Sequence, residues 1–302
     1  MPATLGHIGL QYIVSKLLFR GPDPKWILAG CIMPDIPWIF RRALQPFDAI
    51  PAIDLKLYAI VQSSLLGSLL LCAALSGLSR RPVATFGLLA FGSTMHLVLD
   101  AMQEKWANGV LLFAPLDWTL LRFDLFWPVD NLSVGLWILG LFVIVWMYLT
   151  ERGKPVNNMD HNWMKIVLAL CFFAAYLLLP LTMMSTAERH NLHFANTARQ
   201  LDDRVGAAFE IDRGSVVFGV AGPETSGWFG GPIQLLGYEA QVPARASLKG
   251  VFVKPDTLQL HEVHLHSNRP YRSYASYLGL GFIVLWWIVY VIRIKFVRGF
   301  LT

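Results

Sequence analysis

Long apolar stretches separated by short polar connections make up most of this chain. A helix that crosses the core of a bilayer needs roughly 20 apolar residues. Five stretches approach that length and end at a charge or a turn signal: 57–78, 82–102, 131–150, 164–184 and 277–292. Two earlier stretches, 7–19 and 26–40, are shorter and are joined by the turn-forming sequence 20–25. The pattern predicts a membrane α-helical protein with about seven membrane segments, the first two short.

The polar segment 185–276 has a different pattern. Helical spacing extends through residue 204, and short alternating or β-branched runs then follow, separated by glycine and proline. These runs lie at 208–211, 215–220, 233–238, 248–253 and 257–266. They predict a small, mainly β domain, an antiparallel barrel or sandwich, inserted before the last helix. We therefore expect a helical membrane domain (1–184), an extracytoplasmic β-rich domain (185–276), and a C-terminal transmembrane helix with a basic cytoplasmic tail (277–302).

Composition narrows the class of protein further. The chain is 55% hydrophobic and 15% charged, whereas a soluble domain carries about 25% charged residues to face water. Intrinsic disorder, a collagen-like fibre and a secreted disulfide scaffold are excluded on the same grounds. The net charge is +5, but the cations cluster at the ends of apolar stretches, where they set topology. We expect no nucleic-acid partner.

The distribution of basic residues predicts an orientation. If the C-terminus is cytoplasmic, ten lysines and arginines lie on the cytoplasmic side, and five lie on the short loops opposite, 41–56 and 103–130. Cytoplasmic loops normally carry the excess of positive charge. The N-terminus and the β-rich domain are then outside.

Four ionisable residues lie in or beside apolar segments, where their burial is costly and usually functional. His96 and Asp100 are four residues apart, so they share one face of a helix, where they can bind one metal ion or brace helices through a hydrogen bond. Asp35 lies between two prolines, on broken helix that can line a wet cavity, or it caps the next helix. His7 begins the first apolar segment.

The predicted topology brings these four residues to one membrane depth, at the outer ends of three segments. Two imidazoles and two carboxylates suit a divalent transition metal, with Zn²⁺ first by ligand type. His7, Asp35, His96 and Asp100 are therefore the candidate metal ligands.

The same residues carry a resemblance to a known family. The motifs are Gly6-His7, Met33-Pro34-Asp35, and His96-x3-Asp100 followed by Gly109 and Pro115. In this order they resemble the LexA-regulated membrane-bound metal-dependent hydrolases, and more distantly the zinc-dependent phospholipases C and single-strand nucleases, over roughly residues 1–150. The resemblance implies a hydrolase of the bacterial cytoplasmic (inner) membrane with a periplasmic domain. Its substrate would be a phosphoester of a lipid or lipid-linked headgroup at the outer interface.

One departure from that family affects the expected metal content. Tyr58 and Ser63 stand where the family has the histidines of an HRxxTHS-like element. We therefore expect at most one tightly bound ion. The alternative is a non-catalytic membrane subunit that binds a lipid or a protein partner, the latter through the β-rich domain.

Further candidates lie outside the membrane segments. Asp117, Asp124 and Asp130 follow the His–Asp helix and could add a ligand or act as general base, although such loops also carry solvated aspartates. In the last predicted strand, Glu262, His264 and His266 share a face, with Val263 and Leu265 on the core face. His261, His264 and His266 could bind metal or simply face solvent, and Arg269 and Arg272 could meet lipid phosphates.

Overall fold

The computed structural model describes residues 3–47, 49–151, 162–266 and 271–299, with side chains through residue 293. A helical part and a β-barrel make up this described chain. The helices are α1 Thr4–Leu18, α2 Pro24–Gly30, α3 Ile36–Leu44, α4 Ala52–Gln62, α5 Leu65–Ser76, α6 Pro82–Ala101, α7 Asn131–Glu151, α8 Trp163–Arg189, α9 Ala195–Arg199 and α10 Tyr271–Gly299. The strands are β1 Ala208–Gly219, β2 Gly222–Gly227, β3 Gly230–Leu236, β4 Ala244–Lys254 and β5 Thr257–His266.

Four of the described helices, α6, α7, α8 and α10, are long and apolar enough to cross a membrane. The predicted span 57–78 is a bent pair, α4 and α5, which meet at 69° and bring the total to five if they count as one span. The prediction of a helical membrane protein is confirmed to this extent: four or five helices are long and apolar enough to span a bilayer. The α1 helix has 15 residues and α2 has 7, which is short for a bilayer core. The count of seven stays a prediction.

The short helix α1 lies inside the helical domain, against α7 and α10. Glycines permit this close approach: a Cβ on Gly9 would stand 2.7 Å from the Cα of Gly140, and one on Gly140 would clash with the carbonyl oxygen of Leu5. A Cβ on Gly279 of α10 would stand 2.8 Å from the backbone nitrogen of Leu5. Backbone contact with α7 and α10 therefore sets the depth and rotation of α1, and with them the position of His7.

The predicted helix break around Asp35 is present. The apolar stretch 26–40 divides into α2 and α3, with a 3-10 turn at Met33–Asp35 between them. Proline is placed at the start of both the turn and α3, where its missing N–H costs least. Asp35 is thereby held on a turn inside the protein, with 3% of its surface exposed.

The strands close into a five-stranded barrel in the order β1-β2-β3-β5-β4. The prediction of a wholly antiparallel domain is wrong, because β3 and β5 pair in parallel. The runs at 208–211 and 215–220 form one strand, β1, whose register shifts between Ile211 and Gly214. The sequence pattern also missed β2, which is mostly glycine and polar residues.

The barrel has a core of its own and rests on the loop between α6 and α7. Its fully buried side chains include Phe209, Ile233 and Leu248. Outside this core, the ring of His264 stacks on Trp127 with centroids 3.6 Å apart, and the Glu210 carboxylate accepts a 2.6 Å hydrogen bond from the backbone N–H of Ala107. These contacts place the barrel over the end of the helical domain that contains His7 and Asp100.

Candidate metal centre

Two histidines and two aspartates meet where α1, α6 and the turn before α3 approach one another. His7 Nε2 lies 3.5 Å from Asp100 Oδ1. His96 Nε2 lies 3.4 Å from Asp35 Oδ1 and 3.9 Å from Asp100 Oδ2. One ligand atom each from His7, His96 and Asp100 lies within 4.8 Å of the other two, so these three residues can hold a metal ion.

The position and the tautomer of His96 follow from its own contacts. His96 and Asp100 occupy successive turns of α6, as their spacing predicts, and the Nδ1 atom of His96 lies 2.7 Å from the Cys31 carbonyl oxygen. A carbonyl can only accept, so Nδ1 carries the proton and Nε2 keeps its lone pair for a ligand. A hydrogen bond of this kind orients most metal-binding histidines.

The two imidazoles and two carboxylates fit a transition metal. His7 points most directly to a bound ligand, because its ring nitrogens are unsatisfied among the described residues. Its side chain has no exposed surface, and neither ring nitrogen has a hydrogen-bond partner among the described residues. Buried polar groups are normally satisfied. The rings of His7 and His96 are stacked, 3.8 Å apart and within 3° of parallel. Because imidazole lone pairs lie in the ring plane, binding one ion through both nitrogens requires these rings to turn.

Sequence reasoning missed two polar residues beside the cluster, Gln11 and Lys105. Gln11 lies one turn beyond His7 on α1, is fully buried, and has no hydrogen-bond partner for its amide among the described residues. Lys105 is 5% exposed, and its Nζ lies 3.5 Å from Asp100 Oδ1. The i, i+4 spacing from His7 marks Gln11 in retrospect, whereas Lys105 reaches Asp100 through the loop after α6.

The barrel adds further charge at this end of the protein. Arg213 Nε lies 3.2 Å from Asp212 Oδ1 on β1. Burial alone would raise the pKa of the Asp212 carboxyl, but Arg213, followed by Lys105 and Arg272, holds that pKa well below its ordinary value. The charges of Arg272 and Asp100 also act on each other. Three cations therefore lie within electrostatic reach of Asp212, and two of them also interact with Asp100.

A second group of buried polar residues lies where the barrel meets α3 and α4. Lys56 is 6% exposed, and its Nζ lies 3.2 Å from the centre of a Trp228 ring. His193 is 4% exposed and stacks on Trp38. Burial, then the charge of Lys56, holds the pKa of His193 well below its usual range. His193 also has a left-handed backbone, with φ of 52°, which is uncommon outside glycine and often marks functional segments.

The three loop aspartates make local contacts. Asp117 is exposed, and its Oδ1 accepts hydrogen bonds from the backbone N–H and hydroxyl of Thr119, which lower the pKa of its carboxyl. Asp124 lies 3.7 Å from Arg122. Asp130 caps α7, because its Oδ1 accepts from the backbone N–H of Ser133. Among the described residues, the group that can hold a metal does not include these three.

Tyr58 and Ser63 form hydrogen bonds to the backbone of the helical domain. The Tyr58 hydroxyl donates a 2.9 Å hydrogen bond to the carbonyl oxygen of Leu177 on α8. The Ser63 hydroxyl donates to the carbonyl oxygen of Ile60 at the end of α4. Ser63 stands at the bend between α4 and α5. Neither side chain takes part in the His–Asp cluster.

On β5, Val263 and Leu265 lie on the core face of the sheet, as predicted, because their cross-strand partners belong to the barrel core, but the two side chains are not buried. They pair with Leu248 and Ala246 but remain 38% and 50% exposed, because β3 pairs with β5 only over residues 257–259.

The histidines of β5 lie mainly against protein. His264 stacks on Trp127, and His266 Nε2 lies 2.8 Å from the Ser247 hydroxyl. His261 is exposed. Of the two arginines before the last helix, Arg272 lies near Asp212, and Arg269 is outside the described residues.

Comparisons with known proteins add no relative. No protein-family model, curated protein or solved structure matches this chain. Its class rests on its own features: a helical membrane domain with a buried His–Asp cluster and a barrel docked over it.

Proposed function

We propose that this protein is a membrane-embedded, metal-dependent hydrolase that acts on a phosphoester of a lipid or lipid-linked headgroup. The observation that carries the proposal is His7, whose buried ring nitrogens have no hydrogen-bond partner among the described residues; its Nε2 lies 3.5 Å from Asp100 Oδ1, and its ring stacks on His96. His7, His96, Asp100 and Asp35 would hold one divalent ion, with zinc preferred by ligand type. Such an ion lowers the pKa of water and polarises a phosphoryl oxygen.

The chain's own residues support an anionic substrate. Lys105 and Arg272 lie near Asp100, where they would attract a phosphate group and orient it toward the cluster. The barrel and the loop after α6 cover this end of the helices and would limit access of bulk water. Asp117, Asp124 and Asp130 remain candidates for proton transfer, and Asp117 lines a cleft of about 530 Å³ with His190 and His193.

The membrane arrangement suits a lipid substrate. The cluster lies at one end of the spanning helix α6, so a headgroup could reach it while the acyl chains stay in the bilayer. The distribution of basic residues supports an outside N-terminus, a cytoplasmic C-terminus and an outer-leaflet site. By its resemblance to the bacterial family, the membrane would be the cytoplasmic one.

A non-catalytic role is the second candidate, and a specific contact favours it. The Lys105 ammonium group already lies 3.5 Å from Asp100 and partly balances its charge without a metal. Together with the absence of histidine at Tyr58 and Ser63, this contact is compatible with a site that has become a structural His–Asp–Lys network. In that case the barrel would serve to bind a lipid or a protein partner.

Metal content after purification without chelator distinguishes the two candidates. We expect about one equivalent per chain in the wild-type protein, because the four ligands provide only two carboxylates to balance metal charge. Asp100→Asn should lose the ion, since an amide is a poor zinc ligand. Asp124→Asn is the matched control: this exposed aspartate has φ of 47°, which asparagine tolerates. It should retain the metal.

Activity is tested separately, with bis(4-nitrophenyl) phosphate as a general phosphodiester probe. Cleavage should disappear on chelation, return with Zn²⁺, and be absent from Asp100→Asn at any zinc concentration. A protein that binds one equivalent but cleaves neither this probe nor lipid phosphoesters would overturn the hydrolase assignment. No metal at all would favour the non-catalytic subunit, and two equivalents would contradict a single-ion site.

A further inference from the structure

A basic pocket lies at the opposite end of the helical domain from the His–Asp cluster. It has a volume of about 440 Å³, and α1 ends, α2 begins and α6 begins around it. Its described lining combines cations and hydroxyl groups with an apolar wall: Phe19, Arg20, Gly21, Pro22, Asp23, Lys25, Trp26, Ser79, Arg80, Arg81, Ala84, Thr85 and Leu88.

The charge of this pocket is unbalanced. Lys25 is 3% exposed and forms an ion pair with Asp23, the one carboxylate among the described lining residues. Arg20, Arg80 and Arg81 are exposed, and none makes a side-chain hydrogen bond or ion pair with the described part of the chain. Three positive charges therefore surround the pocket, and no carboxylate among the described residues forms an ion pair with any of them.

The backbone at the start of α6 also favours an anion. The Thr85 hydroxyl donates to the Ser79 hydroxyl at 2.8 Å, and the Ser79 hydroxyl accepts from the backbone N–H of Arg81. Arg81 stands at the N-cap of α6 but makes no side-chain cap. The first N–H groups of this 20-residue helix thus contribute positive potential beside Arg80 and Arg81.

The surroundings of the pocket indicate lipid rather than a soluble anion. Leu17, Leu18 and Val83 adjoin the lining residues and are 77%, 64% and 83% exposed. Large apolar side chains with that exposure, at the end of α1 and the start of the spanning helix α6, belong in contact with the bilayer. Inside the pocket, Phe19, Trp26 and Leu88 provide an apolar wall next to the arginines, as a phosphate joined to acyl chains requires.

We propose that this pocket binds the phosphate of an anionic phospholipid in the leaflet opposite the His–Asp cluster, the cytoplasmic leaflet by the charge distribution. Basic pockets between helices on that side of a membrane are suited to such headgroups. Arg80 and Arg81 contact the phosphate, Arg20 closes the other side, and the apolar wall contacts the start of the acyl chains. The site does not depend on metal binding or on the function proposed above.

The test is native mass spectrometry of the full chain in detergent, titrated with phosphatidylglycerol. The double variant Arg80→Gln/Arg81→Gln should bind this lipid roughly 30-fold more weakly, from the usual contribution of two basic residues at a lipid surface. The control is Lys165→Gln/Arg293→Gln, which removes the same charge from the ends of α8 and α10 at this side of the domain without touching the pocket. Its affinity should fall less than about threefold.

Two more arms identify the ligand and check the fold. Phosphatidylcholine and inorganic phosphate should each bind at least about tenfold more weakly than phosphatidylglycerol. Arg80→Lys/Arg81→Lys keeps the charge and should retain most of the affinity, which shows that the glutamine variant loses charge rather than structure.

Three results would overturn the proposal. Equal loss in the two double glutamine variants would mean general surface attraction. Inorganic phosphate binding as tightly as the lipid would mean a soluble anion site. Equal binding of phosphatidylcholine, which has no net charge, would mean that the arginines do not select an anionic headgroup.

Discussion

The two ends of the helical domain contain clustered charges under opposite conditions. At one end, His7 and His96 are fully buried, the Asp100 side chain is 14% exposed, and the barrel and the loop after α6 cover them. At the other end, Arg20 and Arg80 surround an open pocket of about 440 Å³. Buried ionisable groups must be satisfied by partners fixed in the protein or bound to it. Exposed arginines can be neutralised by lipid or by ions from solvent. The His–Asp cluster therefore depends on the surrounding tertiary structure far more than the arginine pocket does.

The largest expected effect comes from removing the buried cation at the covered end. In chelated protein, Lys105→Met leaves Asp100 without one of its charge partners, and breaking a buried pair typically costs 3–5 kcal/mol. We expect thermal unfolding in EDTA to show a loss of that order, and added Zn²⁺ to restore most of it.

Lys249→Met is the control for that measurement. Its ammonium lies 3.3 Å from the exposed Glu262 carboxylate, so it should cost less than about 1 kcal/mol with or without metal. A small, zinc-independent effect of Lys105→Met would contradict a buried charge balance at Asp100.

The next effect concerns the barrel that covers this end, and it depends on pH. Burial, then the charges of His264 and Arg213, lowers the pKa of His266 from 6.5 to about 4. The folded state therefore binds this proton less readily than the unfolded state. The stability that neutral His266 contributes is complete above pH 6.5 and is lost as the pH falls toward 4, by roughly 3 kcal/mol at 1.36 kcal/mol per pKa unit.

Paired unfolding experiments at pH 7 and pH 4.5 isolate this contribution. His266→Gln should lose much less stability on acidification than wild type, although it is less stable at pH 7 because the contact with Ser247 is changed. His261→Gln, an exposed histidine on the same strand, should follow wild type at both values. Identical acid sensitivity in all three proteins would show that His266 is not the responsible group.

The smallest expected effect concerns the packing that places His7. A Cβ at Gly140 would clash with the Leu5 carbonyl oxygen, so Gly140→Ala should cost about 1–3 kcal/mol through forced movement of α1. The same movement should reduce metal retention. Gly135→Ala, on the same helix but with nothing within 4 Å of its Cβ position, should be neutral or stabilise by up to about 1 kcal/mol. If the two variants have the same unfolding stability and the same metal content, close packing of α1 does not position His7.

The long apolar helices and most strands could be predicted from sequence because their signals are local. The run at 257–266 coincides with β5, and 131–150 lies within α7. The β2 strand could not be found this way, because Gly222–Gly227 has no apolar alternation and is held by pairing with β1 and β3. The exposure of Val263 and Leu265 could not be predicted either, because it depends on where β3 ends.

The candidate site divides in the same manner. The spacing of His96 and Asp100, and the prolines beside Asp35, are local features that predict which side chains share a helix face or a break. The positions of Lys105 and Arg213 are not local, since each depends on how a loop or the barrel folds back over α6. No periodicity in the chain marks them.

Sequence by itself determined the class of this protein, its apolar helices, the β-rich insert and the four candidate ligands, because hydrophobicity and residue spacing act within one or two helical turns. Tertiary structure decided the rest. The contact of α1 with Gly140 of α7 brings His7 against His96, and closure of the barrel brings Asp212 and its cations toward Asp100. These interactions join residues up to 172 positions apart, and only packing, which acts through shape and distance in space, can specify them.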